Sequence, residues 1–497
     1  MTQADPEVAT TAGRVRGRVE QGNAVFRGIP FAKPPVGALR FLAPVPPDPW
    51  DGVRTATAFG PQAPQAAFPG APPPPADDSG EWLTLNIWTP DPHAKTLPVM
   101  VWIHGGAYLF GSASQPDYDG GRFATAGTVF VSCNYRLGTE GFAEIGGAPA
   151  NRGLLDLVAA LRWVRENIER FGGDPANITV FGESAGAGVI SALLAMPAAD
   201  GLFRRAIAQS VPGTFFTPEL SASVTAAIAE TAGVPATYAT LSATDPKKLV
   251  DAQMSVTAEM RKYPAWGAVK LTDTPFSPVV DGEVLPRAPW RALLAGASRD
   301  VGLLTGHNRD EYRLFIASQG RLGLISDEET ATLLEHFAPG PDGPAAYREA
   351  YPDADANEMF EVVFSDWLFR MPTLHLAQAH AASGGATFLY ELRAEAPVGP
   401  FGACHALDVP LVFGSPSVGI GAMLTGEQPP PGFLALGDTM RREWISFATC
   451  GDPGWPPYGT EHRTTRVYDL QPDVLSYPEE TSMRLWDRHM FDTYDLT

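Results

Sequence analysis

One turn constrains this chain more than any other feature. Residues 178–181, ITVF, form the short apolar run of a strand covered on both faces. Gly182-Glu183-Ser184-Ala185-Gly186 follows at once, and then the small-residue run AGAGVISALLAM, which predicts a tightly packed helix. A G-x-S-x-G turn between a buried strand and a helix holds its serine in a strained, exposed backbone conformation, and the flanking glycines relieve the crowding. Five residues rich in small side chains arise often by chance, and the competing reading is an ordinary strand-to-helix turn. The strand before and the helix after favour a nucleophile at Ser184, with the positive end of the helix aimed at it.

The rest of the chain supplies the matching scaffold. LTLNIWTP, the apolar residues 99–103 and TVFVSCNYRLG are strand signals, and apolar residues between Gly153 and Phe171 recur at helical spacing up to a stop at Gly172. Strand, helix, strand, helix in succession implies a parallel sheet with crossovers. The stretch up to about Gln62 reads as an antiparallel edge, followed by a loop around Pro69 to Pro75. DVGLLTG and ATFLYEL predict two later strands, with ATFLYEL the last strong one. Residues 214–297 and 327–382 are mainly helical and alanine-rich, as expected of insertions that cap or flank the sheet's carboxyl edge. No repeat or linker divides the chain, so residues 1–497 are expected to form a single α/β domain.

Composition narrows the partners. A net charge of −20 repels phosphate backbones and anionic lipid headgroups, so neither nucleic acid nor membrane is expected. No apolar run approaches the roughly 20 residues of a spanning helix, and the first residues lack the pattern of a secretory signal, which together predict a soluble cytoplasmic protein. Cys133, Cys404 and Cys450 cannot all pair and form no CxxC motif, so reduced thiols are expected. No metal or organic cofactor is called for.

Acyl transfer needs backbone N–H donors where the carbonyl oxygen becomes negative. His104-Gly105-Gly106-Ala107, straight after residues 99–103, offers such bare backbone. Gly106 and Ala107, with Ala185, are the candidate oxyanion hole, Gly105 supplies the turn's flexibility, and His104 reads as a loop residue. A plain glycine turn is the alternative.

The base should follow the serine and the acid in the chain. His336, His375 and His380 lie in helical patterns, and His462 and His489 in a polar tail. His405, in the loop after ATFLYEL, is the candidate, with His307 as the fallback. GLLTGHNRDEYRLF offers Asp310 and Glu311 as the acid, and sequence logic barely separates the two neighbours.

Taken in order, FRGIPFAKPPVGALRF, PWDGVR, LTLNIWTP, PVMVWIHGGAYLFGS, NYRLGTEGF, the run from NRGLLDL to GESAGA, LFRRAIAQS and GACHALDVPLVFG resemble the type-B carboxylesterases, in particular the bacterial para-nitrobenzyl esterase branch. The resemblance implies an α/β-hydrolase fold, with a large, mostly parallel central sheet flanked by helices. It places Ser184, Glu311 and His405 on the family's triad, which selects Glu311 over Asp310, and Gly106, Ala107 and Ala185 on its oxyanion hole. Three positions depart from the family pattern. Ser79-Gly80-Glu81-Trp82-Leu83 lacks the early disulfide cysteine, Tyr312 stands where glycine is usual, and Val211 and Pro212 follow Ser210.

The expected reaction is hydrolysis of neutral carboxylic esters through an acyl-enzyme. Tyr108, Leu109, Phe110, Val211, Pro212, Trp266, Phe276 and Phe315 are candidate pocket walls, each equally readable as core. A carbamate or amide hydrolase with the same triad is the alternative enzyme, and an esterase-like binding protein without chemistry the remote one. The partner is a small-molecule ester, and the assembly a monomer or small homo-oligomer.

Overall fold

The computed structural model describes residues 5–67 and 79–497; the loop expected around Pro69 to Pro75 lies outside them. The chain folds as two compact units. The first holds the described residues up to Ala206 together with Phe215–Ala288 and Thr493–Thr497, and the second holds Ile207–Thr214 and Pro289–Asp492.

The first unit carries β1 (Glu7–Ala9), β2 (Arg14–Arg16), β3 (Arg18–Glu20), β4 (Asn23–Pro30), β5 (Val53–Thr55), β6 (Thr84–Thr89), β7 (Leu97–Ile103), β8 (Val129–Cys133) and β9 (Gly173–Glu183). β1, β2 and β5 make a small sheet, and the main strands run β9-β7-β8-β6-β4-β3. β7 lies parallel to both β8 and β9, with Val101 opposite Val131 on one side and Val180 on the other. β6, β4 and β3 run antiparallel to their neighbours, so β3 and β4 form the antiparallel edge that the sequence predicts, and β6 extends it beyond Gln62. The cause is the connections, because a parallel return needs a crossover of about a dozen residues or more, usually a helix. Gln21 and Gly22, both at positive φ (49° and 84°), join β3 to β4 as a tight hairpin turn. Among the described residues between β4 and β6 there is no α-helix.

β8 and β9, by contrast, are bridged by α1 (Arg152–Asn167), which continues as a 3-10 turn over Ile168–Phe171 and stops at Gly172 (φ 93°). Leu154, Leu157, Val158, Leu161, Val164, Ile168 and Phe171 are each at most 3% exposed. Burying each such side chain is worth about 1.5–3 kcal/mol. Asp156 on α1 takes the Arg136 guanidinium at 2.7 and 2.8 Å and the Arg136 N–H at 3.0 Å. That pair pins the segment after β8 to the helix, and losing one partner would strand a buried charge at a cost of about 3–5 kcal/mol.

β10 (Arg205–Gln209) runs out of the first unit into the second, which adds β11 (Gly302–Asn308), β12 (Thr387–Leu392), β13 (Thr464–Tyr468) and β14 (Asp473–Ser476). β11, β12 and β13 are parallel and β14 is antiparallel. ATFLYEL is therefore not the last strand, and the expected polar tail holds two more. β13 escapes a sequence reading because its half-buried Thr464 and Arg466 interrupt the apolar run, and β14 is exposed throughout. His489 is no tail residue either, since its ring sits 4.7 Å from both Trp486 and Phe491.

Residues 214–297 contain the α-helices Pro218–Thr231, Tyr238–Ala243, Pro246–Ala258 and Pro289–Leu294. Residues 327–382 contain five helical elements, among them one π-helical turn, Asp366–Arg370. No described helix is long and apolar enough to cross a membrane.

Candidate active site

The nucleophile candidate stands where β9 ends. Ser184 has φ 57° and ψ −124°, and α2 (Ala185–Ala195) starts on the next residue. A non-glycine residue in such a conformation costs about 1–3 kcal/mol and persists only where its surroundings enforce it. Here the enforcement is steric. A Cβ on Gly182 would lie 2.5 Å from the Ile103 carbonyl oxygen of the adjacent β7, and one on Gly186 only 2.1 Å from it. Both flanking positions must be bare for the strand to turn into the helix this close to its neighbour.

The loop after β7 presses on the same spot. A Cβ on Gly105 would approach the Ser184 Cβ to 3.1 Å and the Glu183 carbonyl to 2.8 Å. Gly106, Ala107 and Tyr108 follow at φ 114°, 54° and 60°, an unbroken positive-φ run that two hydrogen bonds close, from the Leu109 and Phe110 N–H groups to the Gly106 carbonyl. His104 Nδ1 donates to the Gly105 carbonyl at 2.9 Å, and in a trans peptide this turns the Gly106 N–H the opposite way. Burial pushes the His104 pKa down to about 4, so the ring is a neutral brace at pH 7. The Tyr135 hydroxyl donates to the His104 carbonyl and the two rings stack.

The second unit assembles a different constellation. His405 Nδ1 lies 2.6 Å from Glu311 Oε2, and Glu311 is fully buried. Its Oε1 accepts the Ser210 hydroxyl at 2.6 Å and the Asn308 N–H at 2.8 Å. Asp310, the alternative acid, points elsewhere: it holds Arg309 at 2.8 and 2.9 Å and accepts the Ala403 N–H at 2.8 Å. Burial alone would raise the Asp310 pKa, but the Arg309 guanidinium outweighs it and keeps this carboxyl below its usual range. His307, the fallback base, is committed to the Tyr477 hydroxyl and the Asn308 carbonyl, and burial holds its pKa down to about 4. The His405 ring packs on Phe369 at 4.2 Å and Phe315 at 5.4 Å.

The candidate pocket residues divide. Tyr108, Leu109 and Phe110 lie on the glycine loop, with Tyr108 buried against Phe142 and its hydroxyl unbonded. Phe315 flanks His405. Val211 is buried with its N–H on Thr373 Oγ1, and Phe276 is buried. Trp266 stacks on Tyr263 at 4.1 Å and donates to Ser223, as a packing residue does.

Three contributors escape a reading of the sequence: the Ser210 hydroxyl, the Asn308 N–H and the Phe369 ring. Ser210 is buried at φ 56°, and its only signal is its place at the end of LFRRAIAQS, one of the stretches that carries the family resemblance. Phe369 gave none.

A serine set on such an elbow, at the end of a parallel strand in a mixed sheet of this order, makes the chain an α/β-hydrolase. Residues 4–486 match the model of the carboxylesterase family; the chain belongs to that family and is a carboxylic ester hydrolase. It is 37% identical to the para-nitrobenzyl esterase of Bacillus subtilis over 95% of this chain and 96% of that one. It is 34% identical to a phenmedipham hydrolase of Pseudarthrobacter oxydans, over 96% and 99%. Among solved structures, a carboxylesterase of Geobacillus stearothermophilus superposes with a TM-score of 0.85 at 38% identity, covering 97% of this chain and 99% of that one.

Proposed function

We propose that ester hydrolysis here runs through Ser184 as nucleophile, His405 as base and Glu311 as the carboxylate that orients it, with the N–H groups of Gly106, Ala107 and Ala185 receiving the oxyanion and Gly105 shaping their loop. The observation that carries this reading is the strained Ser184 elbow with a bare-backbone loop pressed against it. The buried 2.6 Å pairing of His405 with Glu311 supports it. His405 takes the Ser184 proton as Oγ attacks the ester carbonyl and returns it to the departing alcohol. Water then repeats the sequence on the acyl-enzyme, and the serine is regenerated with release of the acid. Glu311 keeps the His405 proton on Nδ1, leaving Nε2 to accept, and stabilises the imidazolium that forms.

The substrate class is a neutral, moderately bulky ester. The protein's net charge of −20 disfavours anionic substrates, and the relative named para-nitrobenzyl esterase supports an aromatic alcohol portion. Tyr108, Leu109, Phe110, Val211, Phe276 and Phe315 are proposed as its apolar surroundings, and Trp266 is left to packing. A cytoplasmic location is proposed too, supported by three free cysteines. Phenmedipham is the second test substrate, because one relative is named for hydrolysing it.

The test pairs Ser184→Ala with an organophosphate label. Wild type should be labelled once, at Ser184, with loss of turnover, and the alanine variant should lose about 10⁴-fold or more in kcat. Full turnover in Ser184→Ala would falsify the reading.

A further inference from the structure

Behind Glu311 and His405 lies the one π-helical turn among the described residues, and its sequence explains it. α3 (Ala356–Ser365) passes through the turn Asp366–Arg370 into α4 (Met371–Ala382), whose second residue is Pro372. Proline has no N–H, so the Leu368 carbonyl four residues earlier loses its helical partner and the ring crowds it. Helices relieve such conflicts with a single wide turn, often at a functional site. The freed Leu368 carbonyl accepts the Gly213 N–H at 2.8 Å. Gly213 has to be bare for this, since a Cβ there would meet Pro372 at 2.8 Å and the Trp367 carbonyl at 3.0 Å.

What the turn holds is the acid–base pair. The Ser365 hydroxyl accepts the N–H of Tyr312, the residue after Glu311, at 3.0 Å. Arg370 Nη1 donates to the carbonyl of Arg309, two residues before Glu311, at 3.1 Å. Between these grips, Phe369 lies nearly flat on the His405 ring, at 4.2 Å and 27°. Arg370 is itself fixed by Asp366 at 2.8 Å and Ser482 at 2.8 Å, and Asp366 also takes the Tyr347 hydroxyl.

We propose that the π-helical turn Asp366–Arg370, together with Ser365 on its leading edge, positions the acid–base pair, gripping the Glu311 loop on both sides and seating Phe369 as a positioning residue against His405. The proposal rests on the reading of Glu311 and His405 as acid and base. An α-helical path turns by about 100° per residue, more than a wide π-turn does, so the four steps from Ser365 would bring Phe369 to a different bearing and the two grips and the ring contact could not be made together. The ring face also favours a cation beside it, which is the state His405 enters during attack.

The experiment compares the full-length chain with Phe369→Leu, Phe369→Tyr and Ser365→Ala, using Ser184→Ala and Glu311→Gln as references. Phe369→Leu should lose about tenfold in kcat with KM within about twofold of wild type. Phe369→Tyr, which keeps the ring face, should recover most of that loss, and Ser365→Ala should lose about threefold in kcat by itself. In proton NMR, the downfield signal of the His405 Nδ1–H should be sharp in wild type and Ser184→Ala, absent in Glu311→Gln, and broadened in Phe369→Leu. Wild-type kcat and an unchanged signal in both Phe369→Leu and Ser365→Ala, with the two reference variants inactive, overturns the clamp and leaves the triad standing. Activity retained in Ser184→Ala or Glu311→Gln overturns the triad reading and the clamp with it. Should Phe369→Leu fail to fold, Ser365→Ala decides by the same two readouts.

Discussion

The proposed nucleophile side of this enzyme and its proposed acid–base side are built from different materials. Around Ser184 the parts are backbone: a strained serine, a positive-φ loop and glycines whose missing Cβ atoms let one strand end pack on another. Around Glu311 and His405 the parts are side chains from four separate stretches of chain, joined by buried hydrogen bonds and ring contacts. A backbone device fails abruptly, because any added atom collides. A side-chain network degrades in steps, because each donor contributes a separable share.

The sharpest way to break this contrast lies within the second unit. Glu311→Gln should cost about 10³–10⁴ in kcat, whereas Asp310→Asn should leave kcat within about threefold and lower the melting temperature instead; steady-state kinetics and thermal unfolding on both variants separate the neighbours. If Asp310→Asn proved the more damaging to kcat, the acid would be misassigned. Next comes Gly106→Ala, whose Cβ would sit 2.2 Å from the Phe110 carbonyl. A loss of about 10² in kcat at nearly constant KM is expected, the signature of one displaced oxyanion donor. Ser210→Ala should cost about tenfold in kcat through the loosened Glu311 carboxylate, and a null effect would show that the network does not act in steps.

The smallest effect concerns acid stability. Each side holds one fully buried, neutral histidine, His104 beside the glycine loop and His307 beside the acid loop, both pushed down to about 4 by burial. The unfolded chain binds protons at these rings below about 6.5, and the folded protein does not until about 4. Their contribution is thus complete above pH 6.5 and is lost as the pH falls toward 4, by about 1.4 kcal/mol per pH unit for each ring. Thermal unfolding at pH 7 and pH 5 should show the decline, with a shallower slope in His307→Gln. An unchanged slope would mean that this ring gains its proton without unfolding.

The same contrast explains what could be read in advance. The Ser184 elbow and the Gly105-Gly106 loop are local, so adjacent letters carry them, and the strands on either side give them context. Asp310 and Glu311 are equivalent on residue logic because neighbours differ only in the direction they face, and that is decided by Ser210, Arg309 and His405. Only the family resemblance separates them in the sequence. β13 is hidden in the sequence because half-buried Thr464 and Arg466 interrupt its apolar face. The π-helical turn had a visible cause in Pro372, yet Gly213, its partner, lies some 160 positions away in sequence.

That interlock of Gly213 with the Pro372 turn bears on how activity returns after denaturation. Segments near positions 210, 310, 370 and 405 must all meet before Glu311 is held, and closures this long come late in assembly. Far-UV ellipticity should therefore recover first, and the ability to hydrolyse an ester should follow with a measurable lag.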